Sequence, residues 1–429
     1  MRPFLSLYIT NLFLVGGTGL LTTYLALYLG QHDVSTFWIG LLTSCYYVGL
    51  LCGSKVGYYL IKSVGHIRSF AASTAVVIAC VATHGVSDNL TLWLVLRFLV
   101  GTGMMCNYMV LESWLNEQAS HEQRGRVFSL YMITSYLGTV LGQLALSQFP
   151  ELGYAPLFLV CVAISVGIVP ISVTRRIHPK PLKPLAVSFF AYARQIPQSL
   201  TAVLFAGIIN GSFYGLAPTF ASKAGFDATG IALFMSVTIF AGLLAQWPMG
   251  MLSDRVRRSV LLRSNAIALI LIAGSMALLP LSQPVMLSIS FLFGIFAFTL
   301  YPLSSALANS RVSDEDRVGV SSALLVAFGT GAGIGSAVLA QIMEFFGHTA
   351  LYGAIALLAA AMFGLLSFIN LRQKAERPTH DDYVVSASDI TTSPLAATMD
   401  PRIEEATAQE QLLVTDEDDT ASGQVNQSP

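Results

Sequence analysis

Charged residues are what this chain has least of. They make up 11% of its 429 residues while 54% are hydrophobic, against about 25% charged in a typical soluble domain. Cysteine is also scarce. Cys45, Cys52, Cys80, Cys106 and Cys161 all fall in apolar stretches, with no CxxC and no Cys/His pairing at metal-ligand spacing, so neither a disulfide framework nor a metal site is expected. No GxxxxGKS or GxxxxGKT loop occurs, which excludes an ATP-driven pump within this chain, and there is no HExxH. The glycine-rich GTGAGIGS (Gly329–Ser336) lies in an apolar run with no preceding strand and no lysine, so it reads as helix packing. The apolar stretches lack the paired aspartates or Ser/His pair that intramembrane hydrolysis needs, and no enzyme activity and no cofactor are expected.

Long apolar runs are what is there. A mean hydropathy of +0.65 over this length calls for many membrane spans rather than one anchor. A span needs about 20 mostly apolar residues. Twelve fit, at about 4–29, 38–61, 67–86, 90–115, 126–149, 155–174, 198–221, 229–250, 260–280, 285–309, 318–343 and 348–370. The first is too long and too polar at its end for a cleaved signal peptide and is expected to be retained.

Twelve spans put both termini on one side. With those termini inside, the five cytoplasmic loops hold fifteen Lys or Arg and the six external loops hold one, Lys223. This asymmetry follows the positive-inside rule and predicts cytoplasmic termini. The predicted organisation is an N-terminal bundle at 1–174, a basic, proline-bearing linker at 175–197, a C-terminal bundle at 198–370 and an acidic tail at 371–429. The tail holds twelve acidic and four basic residues with no apolar period, and reads as disordered. It is either a solvated extension or a segment for a partner that the sequence does not name. The basic loops are short and accounted for by topology, so nucleic-acid binding has no support.

Sliding the chain by 193 residues superimposes Gly49 on Gly242, Gly57 on Gly250, Gly101 on Gly294, Gly138 on Gly331 and Gly142 on Gly335. The shift spans six helices, an even number, so the two halves point the same way. Parallel six-helix halves with the pathway between them are an established transporter architecture.

Charge inside a span is costly and marks function by default. In the fourth run Arg97, Gly101, Met105, Tyr108 and Glu112 fall on one helical face. At 1.5 Å per residue the two charges lie roughly 22 Å apart, too far to neutralise each other. That face should meet protein, water or solute rather than lipid. Three roles are open to Arg97: binding an anionic group, sitting beside a titrating carboxylate, or capping helix carbonyls. Glu112 is open to two, a proton carrier or an ion pair with Lys55 at similar depth on the second span. Other polar candidates are Thr18 and Thr22 on the first span, Asn210 and Tyr214 on the seventh and Tyr301 on the tenth. Rings with scattered hydroxyls and amides suit an amphipathic or aromatic solute.

Between the eighth and ninth spans the loop reads GMLSDRVRR, Gly250 to Arg258. Asp254 there can bond Arg255 or the N-terminus of a neighbouring helix. Such a cluster can lock one orientation of the halves, or simply set topology. This GxLxDR pattern resembles the loop motif of the major facilitator superfamily. RFLVGTG (Arg97–Gly103) is similar to the span-4 motif of its proton-linked members. AGLLAQWPMG, YLGTVLGQL and FTLYP resemble its bacterial YcaD-type branch. The resemblance covers about residues 4–370. It implies an all-α fold of two parallel six-helix bundles and assigns Gly57, Lys62, Gly250, Asp254 and Arg255 to gating. The first copy of the loop motif, GYYLIKSVGH, has Ile61 where the acid belongs, so gating there would use another carboxylate, Glu112 or Glu117. Gln143 stands where the antiporter motif places proline, which speaks against drug/proton antiport.

The expected protein is a multi-pass secondary transporter of a bacterial inner membrane. It would move a small solute by alternating access near the midplane, against spans 1, 4, 7 and 10, with proton coupling through Glu112. The rival reading is a membrane sensor or scaffold of the same fold that signals through its acidic tail.

Overall fold

The computed structural model describes residues 4–120, 123–149, 151–173, 189–312 and 317–372. Most of the predicted linker and the tail beyond Arg372 lie outside them. Among the described residues, twelve helical segments are long and apolar enough to cross a membrane. With no water in a bilayer core, helices satisfy their own backbone groups, and that is why apolar sequence of this length takes this form.

The first half holds α1 (Leu5–Gln31), α2 (Thr36–Val64), α3 (His66–His84), α4 (Leu90–Gln118), α5 (Arg124–Leu146) and α6 (Ala155–Ser172). A short helix, α7 (Phe189–Gln195), occupies the end of the predicted linker. The second half holds α8 (Pro197–Lys223), α9 (Ala228–Arg255) and α10 (Arg258–Leu278). Its tenth span is made of α11 (Gln283–Ala297) and α12 (Leu300–Asn309), followed by α13 (Arg317–Phe346) and α14 (Ala350–Arg372). Several helices run past the apolar core. Two of those that begin at the face opposite the start of α1 open on a side-chain cap: the Asn89 and Asp227 side chains accept from the backbone N–H of Leu92 and Gly230, at the starts of α4 and α9. Gly65 and Gly347 turn the chain between consecutive helices at φ values of 82° and 88°, a region that favours glycine.

The tenth span breaks at Phe298 and Thr299. Pro302 has no N–H to give to the Phe298 carbonyl, four residues back. Beside the break the Asn265 amide of α10 donates to Thr299 Oγ1 at 2.9 Å and to the Phe296 carbonyl at 3.4 Å.

The repeat is a packing repeat. α1 packs on α5 and α6, α2 on α4, and α3 on α4 and α6. Six spans later, α8 packs on α13 and α14, α9 on α11, and α10 on α11 and α14. The repeated glycines sit at these crossings. A Cβ on Gly101 would strike the Tyr46 carbonyl of α2, and one on Gly294 the Thr238 carbonyl of α9. A Cβ on Gly138 would lie 2.6 Å from the Leu12 carbonyl, and one on Gly331 would strike that of Leu204. Without a hydrophobic drive between helices in lipid, such close backbone approach is what holds them. The halves meet through α2 on α13 and α5 on α9, with α8 against α1 and α2.

Candidate functional site

The first residue of α1, Leu5, and the last of α14, Arg372, lie on one face of the bundle, the terminus face. The other is closed by contacts between the halves. There the N–H of Thr36, first residue of α2, donates to Glu344 Oε2 of α13 at 2.6 Å, and Lys223 Nζ of α8 donates to Thr36 Oγ1 at 3.2 Å. A helix N-terminus favours a carboxylate, so this junction is electrostatically matched. A turn deeper, a Cβ on Gly40 would overlap Ala340 and the Ser336 carbonyl. Towards the middle, Ser236 Oγ donates to the Val140 carbonyl at 3.4 Å and Gln246 Nε2 to the Tyr136 hydroxyl at 3.1 Å, joining α9 to α5.

Between the halves lies a cavity of about 40 Å³, room for a few waters. Its rings are Tyr46, Tyr47, Tyr108, Tyr136 and Tyr214, and its hydroxyls include Thr18, Thr22, Thr43 and Thr139. Each of these four threonines donates to a carbonyl of its own helix, so its remaining lone pairs are what it offers the cavity.

Arg97 is the cation of this site. It is 1% exposed, and its guanidinium stacks over the Tyr46 ring at 4.7 Å. Nη2 donates to Thr22 Oγ1 at 3.3 Å while Nη1 is buried with no hydrogen-bond partner. Among the described residues no carboxylate lies within ion-pair distance of it. A buried charge without a counter-charge costs several kcal/mol. Arg97 is thus a buried charge in the cavity wall with no counter-charge among the described residues. Of the three roles open to Arg97, the carbonyl cap has no matching hydrogen bond, and no acid stands beside it.

The other candidates divide. Thr18, Thr22, Tyr108 and Tyr214 join Arg97 around the cavity, and the Tyr108 hydroxyl lies beside those of Tyr46 and Thr18. Tyr301 does not line it: it is buried, edge-on to Phe328 at 5.5 Å. Phe298, at the break, is a ring of span 10 that packs against two of the lining rings, Tyr136 and Tyr214, at 6.4 and 5.6 Å. The cavity thus rests on spans 1, 2, 4, 5 and 7 rather than on 1, 4, 7 and 10. Asn210 is fully buried on α8 and is absent from the lining.

Glu112 is 0% exposed and accepts from the Tyr131 hydroxyl of α5 at 3.2 Å. Asn11 of α1 binds the same stretch of α5 through the Tyr131 carbonyl and Ser135 Oγ, at 3.3 and 2.8 Å. Lys55 is not brought to Glu112; it is exposed on α2 and forms no ion pair among the described residues. Of the loop residues, Gly57 packs on Met109 and Cys106 of α4, Gly250 is buried, and Lys62 and Arg255 are exposed. Asp254 pairs with Arg258 at 3.7 Å rather than with Arg255. Arg258 also donates through Nη1 to the Ala306 carbonyl of α12 at 3.0 Å.

A model of the Major Facilitator Superfamily matches residues 7–335 and again 199–398. The chain belongs to that family. It is 33% identical over 357 residues to the uncharacterized MFS-type transporter YcaD of Shigella flexneri serotype 5b, covering 83% of this chain and 92% of that protein. The YcaD protein of Escherichia coli O17:K52:H18 is 32% identical over the same length. Among solved structures, the nucleoside transporter NupG superimposes with a TM-score of 0.74 at 15% identity, over 87% of this chain and all of NupG. A bacterial homologue of the human lysosomal transporter Spinster, inward-facing and occupied, gives 0.71 at 14%, over 88% of this chain and 99% of its own. The fold is that of the superfamily, and the protein is a multi-pass membrane transporter of the YcaD type.

Proposed function

We propose that this transporter is a secondary carrier that moves one small solute by alternating access, with its binding site at the Arg97 cavity. The observation that carries this reading is the cavity itself. It is shared by the halves, with Arg97 from one and Tyr214 from the other, so rocking one half against the other changes the side from which it is reached. The moving units are residues 1–174 and 198–370. The Lys and Arg asymmetry supports a terminus face in the cytoplasm of an inner membrane. The named contacts between halves run from the Thr36–Glu344 junction to the membrane middle, which supports a conformer shut on the external side. Asp254 and Arg258 hold helix ends at the cytoplasmic side and act in the return step. Proton coupling runs through Glu112, a buried carboxylate on the helix that carries Arg97.

The test needs no known solute. Spin labels at Gln31 and Phe346, exposed ends of α1 and α13 on the external face, report the gap between the halves in nanodiscs. Two distance populations are expected. A single narrow distance, unchanged when Glu344 is replaced by alanine, defeats alternating access.

A further inference from the structure

We infer that the solute is a small organic monoanion with an aromatic body, held by its carboxylate on the free edge of Arg97. This rests on the transport reading above and adds the substrate class. The cavity has one formal charge, and it is positive. Tyr46 covers one face of the guanidinium and Thr22 takes Nη2, which leaves Nη1 buried without a hydrogen-bond partner in the wall of the cavity. A guanidinium edge is planar and suits the two oxygens of a carboxylate. With no acid in ion-pair distance among the described residues, one arriving carboxylate makes the site neutral. A dianion would leave a net charge in an enclosed site and a cation would add a second positive one; both are disfavoured by the same electrostatics.

The body of the solute follows from the walls, which must part from the present conformer to admit it, since that conformer has room for a few waters only. Tyr46, Tyr108, Tyr136 and Tyr214 present ring surface from four different helices, and rings stack offset or edge-on. The threonine lone pairs would receive donors such as ring hydroxyls, so a hydroxylated ring fits as well as a bare one. An inorganic anion would satisfy Arg97 and leave the rings unused.

Binding to the full-length protein tests this, read by calorimetry with benzoate and phenylacetate as probes. Benzamide and benzyl alcohol serve as neutral isosteres, benzylamine as the cation, and acetate and chloride as anions without a ring. The aromatic carboxylates should bind at least about tenfold tighter than every other class, a difference of about 1.4 kcal/mol. Arg97→Gln should abolish that preference, and Arg97→Lys should keep part of it. Comparison of isosteres on the unaltered protein stands even if the Arg97 variants fail to fold. Equal binding of the neutral or cationic probes overturns the proposal, as does chloride or acetate binding as tightly as benzoate. Failure of every aromatic carboxylate to bind overturns it too. The transport reading fails separately. Bound benzoate that never crosses a proteoliposome membrane would sink transport and leave the anion site, whereas Arg97-independent flux of a cation would do the reverse.

Discussion

Thr36 and Glu344 lie 308 positions apart in the chain and share a hydrogen bond of 2.6 Å across the two halves. The donor is the first N–H of α2, and the acceptor is a carboxylate at the last turn of α13. Charge at a helix N-terminus is worth about 1 kcal/mol when partly exposed. Glu344→Ala is therefore expected to move the equilibrium between conformers roughly fivefold towards opening of this face. Glu344→Gln keeps an acceptor and should move it less. Spin-label distances between positions 31 and 346 check both, and no change in either variant means that the junction does not bias the equilibrium.

His348 adds a pH response at the same face. Burial and the neighbouring Lys223 ammonium hold its imidazole below the usual histidine value. The closed conformer thus prefers neutral His348. Its contribution to closure is complete above the ordinary histidine range, near about 6.5, and is lost as pH falls through that range towards the lowered value. Acidification should widen the 31–346 distance distribution, and His348→Gln should flatten that part of the response. An unaltered response in the variant assigns it to another group.

The repeat glycines predict a paired stability effect. Gly101→Ala places a methyl group on the Tyr46 carbonyl and 3.0 Å from the Leu50 nitrogen, both backbone. The helices must separate, at a cost of about 1–3 kcal/mol. Gly294→Ala meets the Thr238 carbonyl in the second half and should cost a similar amount. Gly364→Ala meets nothing within 4 Å and should be neutral or gain up to about 1 kcal/mol in helix propensity. Thermal unfolding in one detergent ranks the three.

Arg258 bonds the Ala306 carbonyl of α12 as well as pairing with Asp254. Their exposures are 8% and 38%, so the pair itself is worth at most about 1 kcal/mol. Arg258→Ala also frees the Ala306 carbonyl and should destabilise about twice as much as Asp254→Asn. A double-mutant cycle in thermal unfolding gives the pair's share. Equal losses would mean that the bond to α12 contributes nothing.

Much of this was legible in the sequence, for reasons that differ from element to element. A bilayer leaves the backbone few options, so apolar length predicts helices directly, and glycines repeated at a fixed shift predict crossings such as Gly101 on Tyr46. Arg97, Thr18, Thr22 and Tyr108 could be picked out because polar groups on one face of an apolar helix carry a cost. Tyr46, Tyr47 and Tyr136 could not, since a tyrosine in a span reads as packing until its neighbours are known. Arg258 was hidden among loop arginines that topology already explained. The break at Phe298 had a signal in Pro302, masked by continuous apolar sequence on both sides. Lys55 and Glu112 share a depth but not a direction, and depth was all that residue spacing could supply.

Glu112 offers the sharpest division between structure and coupling. It is fully buried and accepts from the Tyr131 hydroxyl. Glutamine has the same shape, keeps a carbonyl for that hydroxyl and carries no titrating proton. Glu112→Gln should thus fold and bind with little change. Flux driven by a pH gradient in proteoliposomes should fall by at least about tenfold, the low end for losing a positioned proton carrier, while exchange of solute at equal pH continues. Tyr131→Phe removes this donor and leaves the acid, so it should alter the pH at which flux is half-maximal without abolishing it. Loss of exchange together with gradient-driven flux would mean that the carboxylate supports the fold of α4 against α5. Unchanged gradient-driven flux would move the proton pathway off Glu112 and leave Arg97 as the charge in the span with a functional role.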